Sequence, residues 1–179
     1  MKRITKWAER EFGFPARFSA TILAGVLFVF LIPYALSRVA PNIDRQLGLP
    51  SIVFGLSSSL LGGIFILLGL AYALWSIIDQ LFLARGTPLP VMATKKLLIT
   101  GPFKHCRNPM SFGTLLLYFG IGIFIGSISA IGMVLIFMIL LITYIKKIEE
   151  QELELRFGEE YLAYKKETPF IIPRISPNK

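Results

Sequence analysis

The amino-acid sequence predicts an all-α integral membrane protein with four transmembrane helices. Three observations support this prediction. The chain of 179 residues is 54% hydrophobic and its mean hydropathy is +0.65, whereas soluble domains are roughly 45–50% apolar. Its hydrophobic residues are concentrated in long runs without charged side chains, and its basic residues are divided unequally among the segments between those runs. The length suits a single domain, residues 1–179.

The uncharged runs define the expected spans. They cover residues 18–37, 52–78 and 110–145, which are 20, 27 and 36 residues long. Because about 20 helical residues cross a bilayer core of about 30 Å, the first two runs each predict one span. The third run is long enough for two, and the small polar residues at 126–129 predict a turn inside it. The expected spans are therefore 18–37, 52–78, 110–126 and 128–145.

The ends of the first span are also predicted. Pro33 is expected to kink or end this helix, with neighbouring groups satisfying the carbonyl that the proline leaves without a partner. Residues 38–51 are then expected to form a short outer loop. Residues 1–17 place Trp7 and two phenylalanines among charged side chains, which predicts an amphipathic helix at the membrane surface.

The basic residues predict the side of the membrane that each segment faces. Segments 1–17, 79–109 and 146–179 contain 5, 5 and 7 lysines and arginines, whereas the segment before the second span contains only 2. Since basic residues accumulate on the cytoplasmic side, both termini and the 79–109 segment are expected there. This topology and anionic lipid explain the net charge of +8 without a nucleic-acid partner.

Composition also bears on other function classes. The single cysteine, Cys106, excludes an internal disulfide and a cysteine-rich metal site, and no metal is expected. A transporter is disfavoured because no span contains a charged residue. A membrane scaffold or assembly factor stays open, since Gly62-Gly63 and Gly122-x-x-x-Gly126 permit close helix packing. The same glycine-rich faces allow a homo-oligomer.

The segment before the third span ends in a pattern that predicts an anion-binding edge. Asn108 has the position of a helix N-cap, and Pro109 that of the first helical residue. A helix N-terminus presents free N–H groups to a ligand carboxylate, and Arg107 can add two parallel hydrogen bonds. The alternative interpretation is that Asn108 only caps the helix.

The segment after the fourth span predicts a continuation of its helix. No helix breaker occurs from residue 146 to 155, and Gly158 is expected to interrupt the helix. Glu149 begins a helical face that continues at positions 153, 157, 161 and 164, which are apolar or aromatic. A carboxylate near the membrane is costly unless it is paired. Glu149 and Glu150 are therefore candidates for an interior site or for a solvated acidic collar, whereas Glu152 and Glu154 are expected to be solvated.

Five blocks of sequence occur in order in the second half of the chain. They are Gly101-Pro102-Phe103, Arg107-Asn108-Pro109-Met110 with Gly113, Glu149-Glu150, Phe157-Gly158-Glu-Glu-Tyr161-x-x-Tyr164-Lys, and Pro169-Phe170-Ile-Ile-Pro173. Over about residues 86–174 the chain thus resembles the isoprenylcysteine carboxyl methyltransferase family, whose wider group includes phospholipid N-methyltransferases. The resemblance implies a membrane methyltransferase that uses S-adenosylmethionine. Its cytoplasmic cofactor pocket would be formed by the 79–109 loop and the C-terminal helix, and its lipid-like acceptor would arrive from the bilayer.

The resemblance also implies the site residues. Arg107 and Glu149 are the expected catalytic residues. Cofactor binding is expected from Gly101, Pro102, Phe103, His105, Arg107, Asn108, Pro109, Glu149, Glu150 and Tyr161. The acceptor is expected at the cytoplasmic end of the third span, beside Met110, Ser111, Phe112 and Tyr118. Two positions depart from the family pattern, because Asn108 stands where the family often has histidine and Ser111 where it usually has tyrosine.

The chemistry of methyl transfer leaves two acceptors open. Transfer from a sulfonium is an in-line displacement, in which a protein mainly supplies proximity, alignment and exclusion of water. The carboxylate of an isoprenylcysteine-like molecule needs no general base. A phospholipid amine must first lose a proton, and Glu149, Glu150 or His105 can assist. The polar end of the cofactor is expected near Arg107 and Asn108, and its hydroxyl-bearing end near the glutamate pair.

Overall fold

The computed structural model describes residues 12–53, 55–87 and 94–175, and within these ranges all regular structure is helical. The α-helices are α1 Phe14–Gly25, α2 Ile32–Leu47, α3 Leu56–Phe82, α4 Pro109–Ile125, α5 Ile128–Tyr144 and α6 Glu150–Glu167. Two π-helical segments, Val26–Leu31 and Ile145–Glu149, join α1 to α2 and α5 to α6, and a 3₁₀ turn covers Gly101–Lys104. Most of the predicted N-terminal surface helix lies outside the described residues.

Three helical rods are long and apolar enough to cross a membrane, and the third is kinked at Gly158. They are Phe14–Leu47, Leu56–Phe82 and Ile128–Glu167, and α4 is a shorter apolar helix of 17 residues. Large apolar side chains are exposed along all three rods, as expected for surfaces that face lipid. The all-helical membrane protein predicted from the sequence is therefore confirmed, whereas the count of four spans stays a prediction.

Helices α3 and α4 pack closely because glycines line their contact. A Cβ added at Gly69 would lie 2.5 Å from the Leu117 nitrogen, and one added at Gly113 would lie 2.6 Å from the Ala73 nitrogen. Gly62 and Gly120 repeat the arrangement seven residues away. Contacts this short leave no room for larger side chains, so the two backbones approach directly. Gly62 therefore packs against α4 of the same chain, and the homo-oligomer stays a prediction.

The predicted outer loop at 38–51 is wrong, because the first helix continues past Pro33 to Leu47. The loop was expected because the first uncharged run ends at residue 37. However, Leu36, Ala40 and Asp44 recur every four residues and form the buried face of α2. Among the described residues, the loop that remains before α3 is confined to residues 48–53 and 55.

Pro33 changes the hydrogen-bond pattern of this helical rod but does not end the rod. In the π-helical segment Ile32 donates to the Leu27 carbonyl, five residues earlier. The Phe28 carbonyl would next require the N–H of residue 33, which proline lacks. The Tyr118 hydroxyl of α4 donates to that carbonyl instead, at 2.9 Å. The expectation that a neighbour satisfies the freed carbonyl is confirmed.

One end of the bundle contains the predicted turn between α4 and α5. The helices end at Ile125 and begin at Ile128, within one residue of the expected span boundaries. The buried Asp44 carboxylate accepts hydrogen bonds from the Ser127 hydroxyl, at 2.5 Å, and from the Ser129 N–H, at 2.8 Å. This carboxylate therefore satisfies the start of α5 and ties α2 to it.

The opposite end of the bundle brings the polar segments together. Arg17, near the start of α1, donates to the Leu81 carbonyl at the end of α3, at 3.0 Å. The Asp79 carboxylate of α3 lies against Gly101, whose φ of +57° a larger residue would rarely adopt. The start of α1, the end of α3 and the 101–108 segment therefore lie at one end of the bundle.

Candidate functional site

A cavity of about 280 Å³ opens among the helices at the polar end of the bundle. One part of it is polar and is lined by Gln80, Thr87, Thr94, Asn108, Glu149 and Glu152. The other part is apolar and is lined by Ala24, Gly25, Phe28, Leu70, Leu117 and Phe137. Residues of the 79–109 loop and of the C-terminal helix line this cavity, and the apolar helices supply the rest of its wall. That the cavity holds a cofactor on the cytoplasmic side stays a prediction.

The structure divides the predicted site residues into two groups. Those that line the cavity are Phe103, Arg107, Asn108, Pro109, Met110, Ser111 and Glu149. Those that lie outside its lining are Gly101, Pro102, His105, Phe112, Tyr118, Glu150 and Tyr161. The second group makes other contacts. For example, the Phe112 ring packs edge-on against Tyr72 at 5.4 Å between centroids, and the Tyr118 hydroxyl holds the Phe28 carbonyl.

Arg107 is the centre of a buried network. Its Nη2 lies 2.7 Å from Glu150 Oε1, and the two side chains are only 10% and 7% exposed. Its Nη1 donates to the carbonyls of Lys165, at 2.9 Å, and Thr168, at 2.6 Å. Lys165 Nζ completes the network at 2.7 Å from Glu150 Oε2. Most of the guanidinium is thus bound within the chain, although its buried Nε–H has no hydrogen-bond partner among the described residues.

This network also fixes the ionisation of Glu150. Burial acts to raise the pKa of its carboxyl group, but hydrogen bonds from Lys165 and Arg107 outweigh burial and leave the pKa below its ordinary value. Glu150 is therefore a charged partner that holds α6 to the 101–108 segment. Its place in the interior excludes the solvated collar for this residue.

Glu149 lies in a different environment from its neighbour. Successive residues of a helix are about 100° apart, so the two adjacent carboxylates point in different directions. Glu149 lines the cavity, four residues beyond the expected end of the last span, and among the described residues no side chain pairs with it. Burial, with the nearby charges of Glu152 and Glu150, raises the pKa of Glu149 to about 7.

Two charged cavity residues, Glu152 and Arg156, were missed by the sequence analysis. Glu152, expected to be solvated, lines the cavity and pairs with Arg156 at 2.9 Å. Arg156 also donates to the Thr94 carbonyl and thereby ties α6 to the loop at the polar end. The spacing of Glu149, Glu152 and Arg156 follows one helical face, a signal present in the sequence.

The C-terminal segment covers the start of α4. The Arg107 N–H donates to the Pro169 carbonyl at 2.8 Å, and the Arg174 N–H donates to the His105 carbonyl at 2.9 Å. Asn108 occupies the N-cap position as predicted, with Pro109 following. Its side chain, however, donates to the Phe170 carbonyl at 2.8 Å and does not cap the helix. The cap interpretation is therefore correct for the backbone and wrong for the amide.

Cys106 is buried beside this segment, and burial raises the pKa of its thiol to about 11. The thiol is consequently protonated at neutral pH and is a poor nucleophile. Cys106 does not line the cavity, whose charged lining residues are Arg107, Glu149, Glu152 and Arg156.

A comparison with models of protein families identifies the family of this chain. The family model for phospholipid methyltransferases matches residues 57–160, more than half of the chain. The chain belongs to the phospholipid methyltransferase family. This family lies within the group of isoprenylcysteine and phospholipid membrane methyltransferases, so the resemblance seen in the sequence is confirmed. Searches of curated proteins and of solved structures found no match.

Membership in the phospholipid methyltransferase family defines the general activity as methyl transfer by a membrane protein. The matched residues, 57–160, include nearly all of α3, all of α4 and α5, the π-helical segment that ends at Glu149, and the part of α6 that begins at Glu150. The matched region thus supplies the polar part of the cavity. Helix α1, which supplies one side of the apolar part, lies outside it.

Proposed function

We propose that this protein transfers a methyl group from S-adenosylmethionine to the head group of a lipid-like acceptor. The observation that carries the proposal is the cavity, in which an unpaired carboxylate lies at one end and apolar helices form the other. A molecule with a polar head and an apolar tail matches such a site. Because ligand cavities usually measure about 300–1,000 Å³, 280 Å³ is enough for reacting groups but small for a whole lipid beside a cofactor.

The polar part of the cavity fits the chemical groups of S-adenosylmethionine. The Glu149 carboxylate can accept hydrogen bonds from ribose hydroxyls or from an ammonium group. The Arg107 Nε–H is a buried donor without a partner among the described residues, and it can donate to a ligand carboxylate. Phe103 lines the same part of the cavity and offers an aromatic surface. When bound, the cofactor supplies a methyl group on a positively charged sulfur.

The chain's own residues then have three tasks. The apolar helices exclude water from the reacting groups, which prevents competing hydrolysis. The Arg107 network holds α6 against the 101–108 segment and so fixes where Glu149 lies. Glu149 can remove a proton from the acceptor, since a base with a pKa of about 7 is well matched to neutral pH.

The surroundings of Glu149 favour an amine acceptor over a carboxylate. A carboxylate head group would lie near an unpaired negative charge, which repels it, and would need no base. An ammonium head group would be attracted to Glu149 and could transfer its proton to it. The phospholipid amine, the second candidate from the sequence, is therefore the acceptor class that the cavity supports better.

The test is methyl transfer from radiolabelled S-adenosylmethionine into total lipid extract, followed by mild alkaline treatment of the product. An N-methyl group survives alkali, whereas a methyl ester releases labelled methanol. We expect alkali-stable label with the wild type and a large loss with Glu149→Gln. Glu167→Gln, which changes an exposed carboxylate at the end of α6, is the matched control. Absence of any labelled lipid would contradict the proposal, and alkali-labile label would replace the amine with a carboxylate.

We also propose four spans with both termini in the cytoplasm. The 17-to-2 division of basic residues and the meeting of α1, the end of α3 and the 101–108 segment at one end of the bundle support this topology. Reporter fusions in the 48–53 loop and after residue 179 should report opposite sides of the membrane. Signals from the same side would contradict it.

A further inference from the structure

The apolar part of the cavity depends on the first helix. Ala24 and Gly25 of α1 and Phe28 and Val29 of the adjoining π-helical segment line it. These four residues, called here the α1 wall, lie outside residues 57–160, the region that the family model matches. A property determined by this wall can therefore differ between family members that share the same polar site.

The α1 wall is held in place by few contacts. Ala24 is the one buried residue of α1, and the π-helical segment contains none. The bond from the Tyr118 hydroxyl to the Phe28 carbonyl is a specific polar link from α4 to this wall. Loose packing beside lipid-facing side chains suits a place where an apolar chain passes between protein and bilayer.

Gly25 is the residue of the wall that leaves space. Its φ of −58° and ψ of −47° are ordinary helical values, so its backbone does not require glycine. A Cβ added there would meet no atom within 4 Å, in contrast to the glycines between α3 and α4. Glycine within a helix costs roughly 0.5–1 kcal/mol relative to alanine. Neither backbone geometry nor packing requires glycine at position 25, and this residue lies in the cavity lining.

We infer that Gly25 determines how much apolar chain the acceptor can place in the cavity. The inference rests on the proposed function, because it concerns the tail of the same acceptor. Moving a methylene from lipid into an apolar protein site changes the free energy very little, since both surroundings are apolar. Selection among tails must then come from shape. A small residue at the wall lets a chain pass the α1 wall toward the bilayer, and a large residue there would stop it.

The test compares Gly25→Leu with the matched control Gly63→Leu. A Cβ at Gly63 also meets no atom within 4 Å, but Gly63 does not line the cavity. Binding of octylamine, dodecylamine and hexadecylamine is measured in detergent by competition and by thermal stabilisation, and binding of S-adenosylhomocysteine is measured in parallel. Gly25→Ala adds only one methyl group and serves as a milder variant if the leucine lowers the yield of folded protein.

We expect Gly25→Leu to lower the ratio of hexadecylamine to octylamine affinity at least about tenfold, Gly25→Ala to lower it less, and Gly63→Leu to leave it unchanged. Affinity for S-adenosylhomocysteine should be the same in all of them. A wild-type ratio in both Gly25 variants would overturn the inference. If the wild type does not bind S-adenosylhomocysteine, the proposed function is overturned instead. The ratios of alkylamine affinities would still decide the role of Gly25.

Discussion

Two regions around the start of α6 hold carboxylates in opposite ways, since Glu150 is buried and Glu149 is half-buried. In the Arg107 network, Glu150 is paired with Arg107 and Lys165, each at 2.7 Å. In the cavity, Glu149 lies one residue earlier and has no pairing side chain among the described residues. Even partial burial of an unpaired charge is costly, and such groups are often found where a ligand or a reaction uses them. Adjacent positions of one motif therefore have different tasks, one structural and one functional.

The other end of the bundle shows what a purely structural carboxylate looks like in this protein. Asp44 accepts hydrogen bonds from Ser127 and Ser129 and so stabilises the start of α5. Glu150 resembles Asp44, because its oxygens are occupied by partners from the same chain. Glu149 does not. This contrast distinguishes the two glutamates by their contacts and predicts that their substitutions will affect different measurements.

The largest effect on stability is expected from Glu150→Ala. The substitution leaves Arg107 buried without its partner, which typically costs about 3–5 kcal/mol. For a chain of this size, this corresponds to a fall of roughly 6–20 °C in the midpoint of thermal unfolding. The control is Glu154→Ala, because Glu154 contacts Lys165 at 2.7 Å but is 36% exposed, and an exposed pair contributes about 1 kcal/mol or less. Equal midpoints for the two variants would show that Glu150 is not the structural carboxylate.

A smaller effect is expected from Tyr118→Phe, which removes the hydroxyl that satisfies the Phe28 carbonyl beside Pro33. An unsatisfied buried carbonyl costs roughly 1–3 kcal/mol. Thermal unfolding in detergent should show a lower midpoint for this variant, whereas Tyr34→Phe, at an exposed tyrosine on the same rod, should unfold like the wild type. An unchanged midpoint for Tyr118→Phe would show that the carbonyl has another partner.

A further expected effect concerns the pH dependence of stability. The pKa of Glu149 is raised from 4.5 to about 7, so the folded protein holds a proton that the unfolded chain releases between these values. The wild type should therefore lose stability relative to Glu149→Gln as the pH rises from 4.5 to about 7, and the difference should be constant above that. Each kcal/mol corresponds to about 2–4 °C in the unfolding midpoint. If the difference in stability between the two proteins were constant across this pH range, the Glu149 carboxyl would be exposed to water.

Much of the fold was predictable because its signals are local. Long uncharged runs set the bounds of α4 and α5 to within one residue, and Gly158 leaves helical geometry as expected, with φ of +52° and ψ of −128°. The extension of α2 was not predictable in the same way. Pro41 and the nearby charges indicate a loop locally, and the buried face of α2 forms only against helices that are distant in sequence.

The site was predictable in its residues but not in their grouping. The motifs identified Arg107, Glu149 and Glu150, yet no local pattern says which glutamate pairs with the arginine. That choice depends on the Thr168 carbonyl and on Lys165, which are 61 and 58 residues from Arg107. The expected role of Arg107 as a ligand clamp stays a prediction. Both of its terminal nitrogens already form long-range bonds within the chain, which no local pattern in the sequence reveals.

The most direct test compares Glu149→Gln with Glu150→Gln in one experiment that measures methyl transfer from radiolabelled S-adenosylmethionine and thermal unfolding together. Glu149→Gln should unfold at or above the wild-type midpoint and lose about 10²–10⁴-fold in the rate of transfer, the usual contribution of a general base. Glu150→Gln should unfold at a lower temperature, with a loss of transfer that follows the loss of folded protein. A wild-type rate in folded Glu149→Gln would contradict the functional assignment of the unpaired carboxylate.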